Sequence, residues 1–276
     1  GSIQSEVLNM EVRWDYLTPP DFEKLVKEEQ LCILPIGCLE RHGDHLPFGT
    51  DGLVCHDICV RAAQKEKCVV FPTYWFGQIH EAACFTGAIN FQTDLLCKML
   101  EQLLDQIASN GFKKILVVSG HGGNTNFLQY FAMSQLDREV DYTLYSCFAY
   151  GDGRFTNLDI WDTERGGHAD ERETSLVMAV AQDSVKLDYH TTNERMQPKH
   201  DLVGLGSRVY TGLWWYDKWP QNVTGEPKAA TKEKGEIAIA AAVDDLAEII
   251  VNVKNDTVTP KLQQEFYNKI KEKGQA

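Results

Sequence analysis

The feature that most constrains the fold is the alternation of short, continuously apolar segments with segments of helical periodicity. Apolar runs without polar alternation indicate strands buried on both faces, as in a parallel sheet. Such runs occupy residues 31–37, 68–76, 114–120 and 142–150. Helical patterns lie near residues 52–65, 93–110, 125–137, 172–182 and 232–253. The alternation predicts an α/β fold, a three-layer sandwich with a mostly parallel central sheet.

No internal repeat, low-complexity tract or linker interrupts the 276 residues, so we expect a single domain over residues 1–276. Residues 1–10 are expected to be a poorly ordered or partly tag-derived terminus. The regions 151–170 and 190–231 lack periodicity and are predicted to be long loops. Loops of that length in a compact α/β domain often form the walls of a functional site.

Composition argues against several classes of protein. The formal net charge is −13 and no cluster of Lys and Arg is present, so nucleic acid is not an expected partner. No apolar stretch reaches the roughly 18 residues that a membrane span needs, and no signal peptide is evident. The eight cysteines form no CxxC pair, which is typical of free thiols in a cytoplasmic, reduced protein. In that compartment the sequons at Asn222 and Asn255 have no meaning.

Polar residues gather where the predicted strands end. Glu40 and His42 follow the first strand, and His121 follows the third in the segment SGHGGN. After the fourth strand, the segment GHADERETS contains four more such residues: His168, Asp170, Glu171 and Glu173. Ligands of open α/β sheets bind outside the carboxyl ends of the strands, so these clusters can meet in space.

The first cluster has the donors of a divalent-metal site. Glu40 and His42 are two residues apart and point to the same side of an extended segment. Asp51 opens the next helix, where its carboxylate could bridge two ions. Together with His121, these residues form a donor set suited to Zn²⁺, Mn²⁺ or Fe²⁺, and a bridging carboxylate matches two-metal hydrolytic chemistry.

Each residue also has a simpler interpretation. His121 could be a hydrogen-bonded loop residue and Asp51 a helix N-cap, while Glu171 and Glu173 could complement a helix dipole. Their joint occurrence favours a site. The other histidines are expected to have lesser roles: His45 in orienting the loop or contacting substrate, His56 in packing, His80 in a substrate wall, and His190 and His200 on the surface.

The segment PIGCLERHGDHLPFGTD (35–51) closely resembles the signature of the creatininase (creatinine amidohydrolase) family, which reads roughly P-x-G-S-x-E-Q-H-G-P-H-L-P-x-x-T-D. The blocks SGHGGN (119–124), GHADERETS (167–175) and VTGEPKAATKEKG (223–235) agree with the family in the same order. The resemblance extends over residues 12–255.

The resemblance implies a metal-dependent amidohydrolase that opens a non-peptide C–N bond of a small molecule, a cyclic amide or a formamide, with a metal-activated water. It assigns Glu40, His42, Asp51 and His121 as metal ligands, with Asp51 as the bridge. One or two divalent ions per chain are expected, Zn²⁺ first, with Mn²⁺ or Fe²⁺ as alternatives. A homo-oligomer is also implied, a hexamer or its dimer or trimer building block.

The sequence departs from the family pattern near the predicted site. Gly123 stands where creatininases proper have a ligand carboxylate, so a second ion needs a substitute, for which Glu173 or Glu171 is the candidate. Arg41 and Asp44 replace the usual Gln and Pro, and Asp170 replaces a common Gly. We expect Glu173 to be a ligand and His168 and Glu171 to be catalytic, with His168 as the proton shuttle.

Two other functions are consistent with parts of the sequence. A serine hydrolase using HGGN as its oxyanion loop requires a G-x-S-x-G nucleophile elbow, which the sequence lacks. A metal-containing small-molecule binding protein without turnover is the remaining alternative. Retention of the four ligand positions and His168 argues against it, whereas the substitutions at Asp44 and Gly123 keep it open.

Overall fold

The computed structural model describes residues 10–191 and 201–275. Its centre is a sheet of four strands in the order β2-β1-β3-β4, all parallel. The strands are β1 (Leu31–Ile36), β2 (Val69–Val70), β3 (Lys114–Ser119) and β4 (Thr143–Phe148). In the register of the two central strands, Leu31 pairs with Lys114 and Ile36 pairs with Ser119, so β1 and β3 end at the same edge.

Helices cover both faces of this sheet. They are α1 (Pro19–Glu29), α2 (Thr50–Lys65), α3 (Thr93–Ser109), α4 (Asn124–Ser134), α5 (Gly153–Thr156), α6 (Glu171–Ala181), α7 (Trp214–Lys218), α8 (Lys232–Asn255) and α9 (Val258–Glu272). Short 3-10 turns connect some of them, at His80–Ala82, Gln135–Asp137, Gln182–Ser184, Leu187–Tyr189 and Asp201–Leu205. None of the described helices is both long and apolar enough to cross a membrane.

Alternate residues of the strands build two separate cores. Leu31 and Ile33 of β1 face a core that α2, α6 and α8 complete. Cys32 and Leu34 face the opposite core, to which α1, α3 and α4 contribute. Because both faces are covered, every residue of β1 is buried, which accounts for its continuously apolar sequence. The predicted three-layer α/β sandwich is confirmed.

The second predicted strand is much shorter than expected. Over residues 68–76 only Val69–Val70 forms a ladder with β1, and Tyr74 adds an isolated bridge to Ile36. Pro72 lies between them and has no N–H to donate, so the ladder is interrupted there. The prediction of a strand over 68–76 was therefore wrong in length, although the segment keeps its place beside β1.

Several other boundaries differ from the sequence expectations. The helices α1 and α9 were not predicted, and of their residues only Leu25, Val26 and Tyr267 are buried. The predicted loops 151–170 and 190–231 contain α5 and α7. The terminal segment 1–10 lies outside the described residues except for Met10, as does His200.

A close approach between the end of β1 and the start of α2 fixes the geometry beyond the sheet. A Cβ atom added to Gly37 would lie 2.6 Å from the backbone of Gly52, so no larger residue fits there. This contact places Asp51, at the first turn of α2, directly against the segment that follows β1.

Candidate metal centre

Four of the predicted site residues converge at the carboxyl edge of the sheet. Glu40 and His42 lie in the loop after β1, Asp51 lies in the first turn of α2, and His121 follows β3. All four are buried, with exposed fractions between 1% and 4%. Buried carboxylates and imidazoles in such numbers need partners, because an isolated buried charge is costly.

Asp51 is the central member of this group. Its Oδ1 lies 3.0 Å from Nε2 of His42, and its Oδ2 lies 3.0 Å from Nδ1 of His121. The same Nδ1 lies 3.1 Å from Oε2 of Glu40. The two oxygens of one carboxylate therefore face two different imidazoles, an arrangement in which Asp51 can contribute to two neighbouring ions.

Backbone carbonyls orient both imidazoles toward Asp51. His42 donates from Nδ1 to the carbonyl oxygen of Glu40 over 3.1 Å, and His121 donates from Nε2 to that of Gln78 over 2.9 Å. With these protons engaged, Nε2 of His42 and Nδ1 of His121 face Asp51, and each would become a free metal donor on losing its second proton. Metal-binding histidines characteristically use the second ring nitrogen in this way.

Glu173 reaches the centre from helix α6. The side chain of Asp170 caps this helix by accepting from the backbone N–H of Glu173 over 3.0 Å. The Glu173 carboxylate accepts from the backbone N–H of Ala169, which has the unusual φ of +56°, and its Oε2 lies 3.7 Å from Nε2 of His42. Asp170, which replaces a Gly of the family pattern, is thus the N-cap of α6, and this cap holds Glu173 against the centre.

The buried donors fall into overlapping groups whose ligand atoms lie within 4.8 Å of one another. We call Glu40, Asp51 and His121 the first donor group; the sulfur of Cys38 lies beside it. We call His42, Asp51 and Glu173 the second donor group, and Asp51 is common to both. Oxygen and imidazole nitrogen donors in this mixture fit Zn²⁺, Mn²⁺ or Fe²⁺, so the donor chemistry is compatible with one ion in each group.

The buried carboxylates and imidazoles of the two donor groups stabilise one another's charged forms. Burial alone would raise the pKa of Glu40, but the imidazoles of His121, His168 and His42 lower it to about 2. Burial opposes the charging of His42 as well, yet Asp51 and Glu173 raise its pKa to about 10. Histidine protons therefore occupy positions between carboxylates where divalent cations would compensate the same negative charge.

Glu173 titrates differently from the other carboxylates. Burial raises its pKa to about 8, because Asp51 and Asp170 oppose a further negative charge and His42 compensates only in part. Asp51 shows the opposite behaviour: burial opposes its charge, but His42 and His121 hold its pKa well below the usual range. A divalent cation beside Glu173 would compensate the negative charges of Asp51, Asp170 and Glu173.

His168 packs directly against the centre. Its ring stacks on that of His42 with centroids 4.2 Å apart, and its Nε2 lies 3.8 Å from Oε1 of Glu40. Burial and the neighbouring His42 lower the pKa of His168, so the ring is neutral at neutral pH. The expected shuttle residue therefore has both the position and the protonation state to accept a proton.

The structure does not bring Glu171 to this centre. Its carboxylate accepts from Lys234 Nζ at 2.5 Å and from the backbone N–H groups of Asp162 and Thr163, and it is fully buried. These contacts occupy both oxygens on the far side of α6, and Glu171 does not line the cavity. The predicted catalytic role of Glu171 is replaced by a structural one: it holds the loop 157–170 to α8.

A cavity of about 720 Å³ opens over the donors. Glu40, Asp51, His121, His168 and Glu173 line it. Its walls also include aromatic side chains and two arginines, among them Phe127, Phe148, Tyr150, Arg165, Arg172, Trp214 and Trp215. The regions 151–170 and 190–231, predicted as loops around a site, supply part of these walls, whereas Trp161 packs against the core beneath Arg172.

The remaining histidines differ in part from expectation. His45 is buried and its Nε2 bonds to the carbonyl oxygen of Ala169, so it braces the loop before α6. His80 lines the cavity as predicted. His56 is partly buried on α2. His190 was wrongly predicted to be on the surface: its exposed fraction is 6%, and its ring packs edge-on against His45.

Two buried residues at the centre were not predicted from the sequence. Cys38, in the loop after β1, is fully buried beside the first donor group. Asn222 donates from Nδ2 to Oε1 of Glu40 over 3.1 Å and accepts from Nε1 of Trp215. Asn222 directly precedes the block 223–235, and this adjacency was the available signal; its backbone φ of +54° was not readable from sequence.

The side chains of Arg41 and Asp44, which replace the usual Gln and Pro of the family pattern, lie outside the cluster of donors. The guanidinium of Arg41 pairs with Asp44 at 2.7 Å, and about half of the Asp44 side chain is exposed. The carbonyl oxygen of Arg41, in contrast, accepts from Asn222 over 2.6 Å and faces Nε2 of His168 at 3.0 Å. The backbone of Arg41 therefore contacts Asn222 and His168 beside the donors, while the side chains of Arg41 and Asp44 pair with each other.

A model of the creatininase family, described as creatinine amidohydrolase, matches residues 15–250. The chain is 24% identical over 256 residues to the creatinine amidohydrolase of Pseudomonas putida, covering 85% of this chain and 94% of that protein. It is 22% identical over 265 residues to the 3-dehydro-scyllo-inosose hydrolase of Thermotoga maritima, covering 88% and 83%. It is 24% identical over 231 residues to the mycofactocin precursor peptide peptidase of Mycolicibacterium smegmatis, covering 80% and 84%.

Solved structures give the same likeness in three dimensions. A crystal structure of creatinine amidohydrolase (creatininase) aligns with a TM-score of 0.74 at 20% identity, covering 90% of this chain and all of that chain. Other solved creatininases of this fold are described as an Mn form and, for a mutant, as a Zn-Zn type. The shared fold therefore extends over most of this chain.

Proposed function

The chain belongs to the creatininase family of hydrolases, and from this membership we propose that it is a metal-dependent amidohydrolase. Its substrate is a small molecule with a non-peptide C–N bond, in a cyclic amide or a formamide. The relatives named above differ in what they act on, and the feature of the site that favours a small planar or cyclic substrate is the aromatic part of the cavity lining. The observation that most supports metal-dependent hydrolysis is the single carboxylate of Asp51, which is shared between two buried donor groups.

We assign one divalent ion to each donor group. Glu40, Asp51 and His121 hold the first, and His42, Asp51 and Glu173 hold the second. Glu173 takes the place of the carboxylate that Gly123 lacks. Zn²⁺ is the first choice and Mn²⁺ or Fe²⁺ the alternatives, because all three accept this mixture of oxygen and nitrogen donors. When bound, such ions lower the pKa of water and polarise a carbonyl group.

The residues of the chain then have separate tasks. His168 is neutral at neutral pH and lies beside the donors, so it can accept a proton and pass it to the leaving nitrogen. Asn222 holds Glu40 and the carbonyl oxygen of Arg41 in place. Gly122 and Gly123 line the cavity next to His121, where their backbone N–H groups can hold the developing oxyanion.

The aromatic walls suit a flat or cyclic ligand. Phe127, Phe148 and Trp214 offer faces on which a planar amide can stack, and Arg165 and Arg172 offer donors to a carbonyl or carboxylate group. The cavity volume of about 720 Å³ accommodates a small molecule with room to spare.

We further propose that the protein is a cytoplasmic homo-oligomer, a hexamer or the dimer or trimer from which a hexamer is built. All eight cysteines are free, as expected in a reducing compartment. Tyr130 and Met133 of α4 are more than half exposed and offer apolar surface for a neighbouring copy. Light scattering coupled to size-exclusion chromatography measures the assembly directly, and a monodisperse monomer would contradict this proposal.

The test of the function is a screen of the metal-loaded protein. The protein is stripped of metal, reconstituted with Zn²⁺ or Mn²⁺, and incubated with a panel of cyclic amides, formamides and short peptides. We expect hydrolysis of at least one non-peptide amide that disappears on chelation and returns with metal. Bound metal without turnover across the panel would favour the alternative, a metal-containing small-molecule binding protein.

A further inference from the structure

We propose that Cys38 is a fourth ligand of the first ion, so that this ion has a complete Cys, Glu, Asp and His tetrahedron. The inference rests on the proposed function, which places an ion in the first donor group. It assigns a ligand to that ion and distinguishes the chemical roles of the two ions.

Cys38 lies where a ligand of the first ion is needed. It belongs to the short loop between β1 and Glu40 and is fully buried. Its Sγ lies 3.4 Å from Oδ2 of Asp51 and 3.7 Å from Oε2 of Glu40. These are the same two oxygen atoms that lie 3.0 Å and 3.1 Å from Nδ1 of His121. Sulfur, nitrogen and two oxygens therefore surround one common space.

The spacing of the donors matches a tetrahedral ion. Bond lengths of about 2.0 Å to nitrogen or oxygen and about 2.3 Å to sulfur imply donor separations of about 3.3 Å, or about 3.5 Å where sulfur is involved. The two sulfur–oxygen separations observed here, 3.4 Å and 3.7 Å, lie close to the larger value. The two nitrogen–oxygen separations, 3.0 Å and 3.1 Å, lie slightly below the smaller one.

Other buried cysteines have ordinary packing roles. The thiol of Cys55 donates to the backbone carbonyl of Val118, and that of Cys32 to the carbonyl of Ile33, both within the hydrophobic cores. In the part of the chain that the structure describes, Cys38 is the cysteine found in a cluster of metal-ligand donors. Unlike the cysteines that pack in the hydrophobic cores, Cys38 lies among two carboxylates and an imidazole.

A thiolate ligand makes the two ions unequal. With Cys38, the first ion has four protein ligands, as structural zinc sites do, while the second donor group provides three and leaves a position open. The thiol proton is released to solvent when the ion binds, since the thiolate is the ligand. Soft sulfur favours Zn²⁺ over Mn²⁺, so we expect the first ion to be Zn²⁺ and the second to exchange more readily.

The experiment uses Co²⁺ as a spectroscopic probe in the full-length protein. The metal-free protein is titrated with Co²⁺, and sulfur-to-cobalt charge-transfer absorption is recorded in the near ultraviolet. We expect this band in the unmodified protein and in Cys84→Ser, whose exposed thiol is the matched control. The band should be absent from Cys38→Ser, in which an oxygen replaces the sulfur.

X-ray absorption of the zinc-loaded unmodified protein gives a second measurement that needs no variant. The account predicts one sulfur scatterer at about 2.3 Å for every two zinc ions. Two bound ions with only oxygen and nitrogen scatterers would overturn the role of Cys38 and leave the proposed function intact. A charge-transfer band that persists in Cys38→Ser would also overturn it, and failure to bind any ion would remove both proposals.

Discussion

Glu171 and Glu173 lie two residues apart at the start of α6, yet their carboxylates serve different parts of the molecule. Glu173 Oε2 lies 3.7 Å from Nε2 of His42 in the second donor group, while Glu171 Oε1 lies 2.5 Å from Nζ of Lys234 on α8. Both are buried. The pair is therefore a matched comparison between a proposed ligand and a structural ion pair.

The first prediction uses this pair. Glu173→Gln should lose one of two metal ions, because an amide oxygen is a weaker ligand than a carboxylate, and it should fold normally. Glu171→Gln should retain both ions but lose about 2 kcal/mol of unfolding free energy, because Lys234 and the N–H groups of Asp162 and Thr163 lose a charged acceptor, while Lys234 keeps Asp162 as a partner. Elemental analysis and thermal unfolding measure the two effects. Equal metal loss in both variants would contradict the assignment.

The second prediction concerns protons released when metal binds. In the metal-free protein the raised pKa values of His42 (about 10) and Glu173 (about 8) keep both groups protonated at pH 7. Burial lowers the pKa of His121, but Cys38, Glu40 and Asp51 together raise it well above its usual value, so it too is protonated. Metal ligands must be deprotonated, so binding has to displace these protons.

Metal affinity should therefore rise with pH from 6 to 9, and calorimetry in buffers of different ionisation enthalpy should detect net proton release at pH 7. Without metal, the stabilisation from His42 is complete below its unfolded pKa of about 6.5 and is lost as pH rises through about 10. Binding heats that do not depend on the buffer would contradict this prediction.

The third prediction separates proton transfer from metal binding. His168→Gln should retain both ions while kcat on any amide found in the screen falls by about 10²-fold or more, a typical loss for a general acid–base. His80→Gln is a suitable comparison, since His80 lines the cavity and its Nε2 lies 3.1 Å from Thr93. A His168→Gln variant with unchanged kcat would eliminate the shuttle assignment.

The fourth prediction concerns the packing that anchors Glu173. A Cβ atom on Gly235 of α8 would lie 1.8 Å from the backbone oxygen of Ser175 on α6, so Gly235→Ala must separate the two helices. We expect a loss of about 3 kcal/mol in unfolding free energy. Gly204→Ala is the control, because no atom lies within 4 Å of its added Cβ, and it should change stability by less than about 0.5 kcal/mol. Equal stability of the two variants would show that α6 and α8 can separate freely.

The sequence predicted those parts of the molecule that depend on local pattern. The strands β1, β3 and β4 follow from their apolar runs and the helices α2, α3, α4, α6 and α8 from their periodicity. Glu40, His42 and Asp51 follow from close spacing after a strand. His121 could be added because β1 and β3 end at one edge of the sheet.

The rest depends on contacts between distant segments. The orientation of α6 against α8 determines that Glu173 and not Glu171 faces the cavity, and this orientation cannot be predicted from local sequence. Asn222 reaches Glu40 from a loop without periodicity. The strand expected over 68–76 was shortened at Pro72, because the chain there leaves the ladder and only Tyr74 returns to it.

Metal stoichiometry tests the central claim, that Asp51 is shared between two ions. Elemental analysis of the reconstituted protein should give two ions per chain, and Glu173→Gln should give one. Asp51→Asn, which alters both donor groups at once, should give none or nearly none. One ion or no ion in the unmodified protein, or two ions retained in Asp51→Asn, would contradict the account.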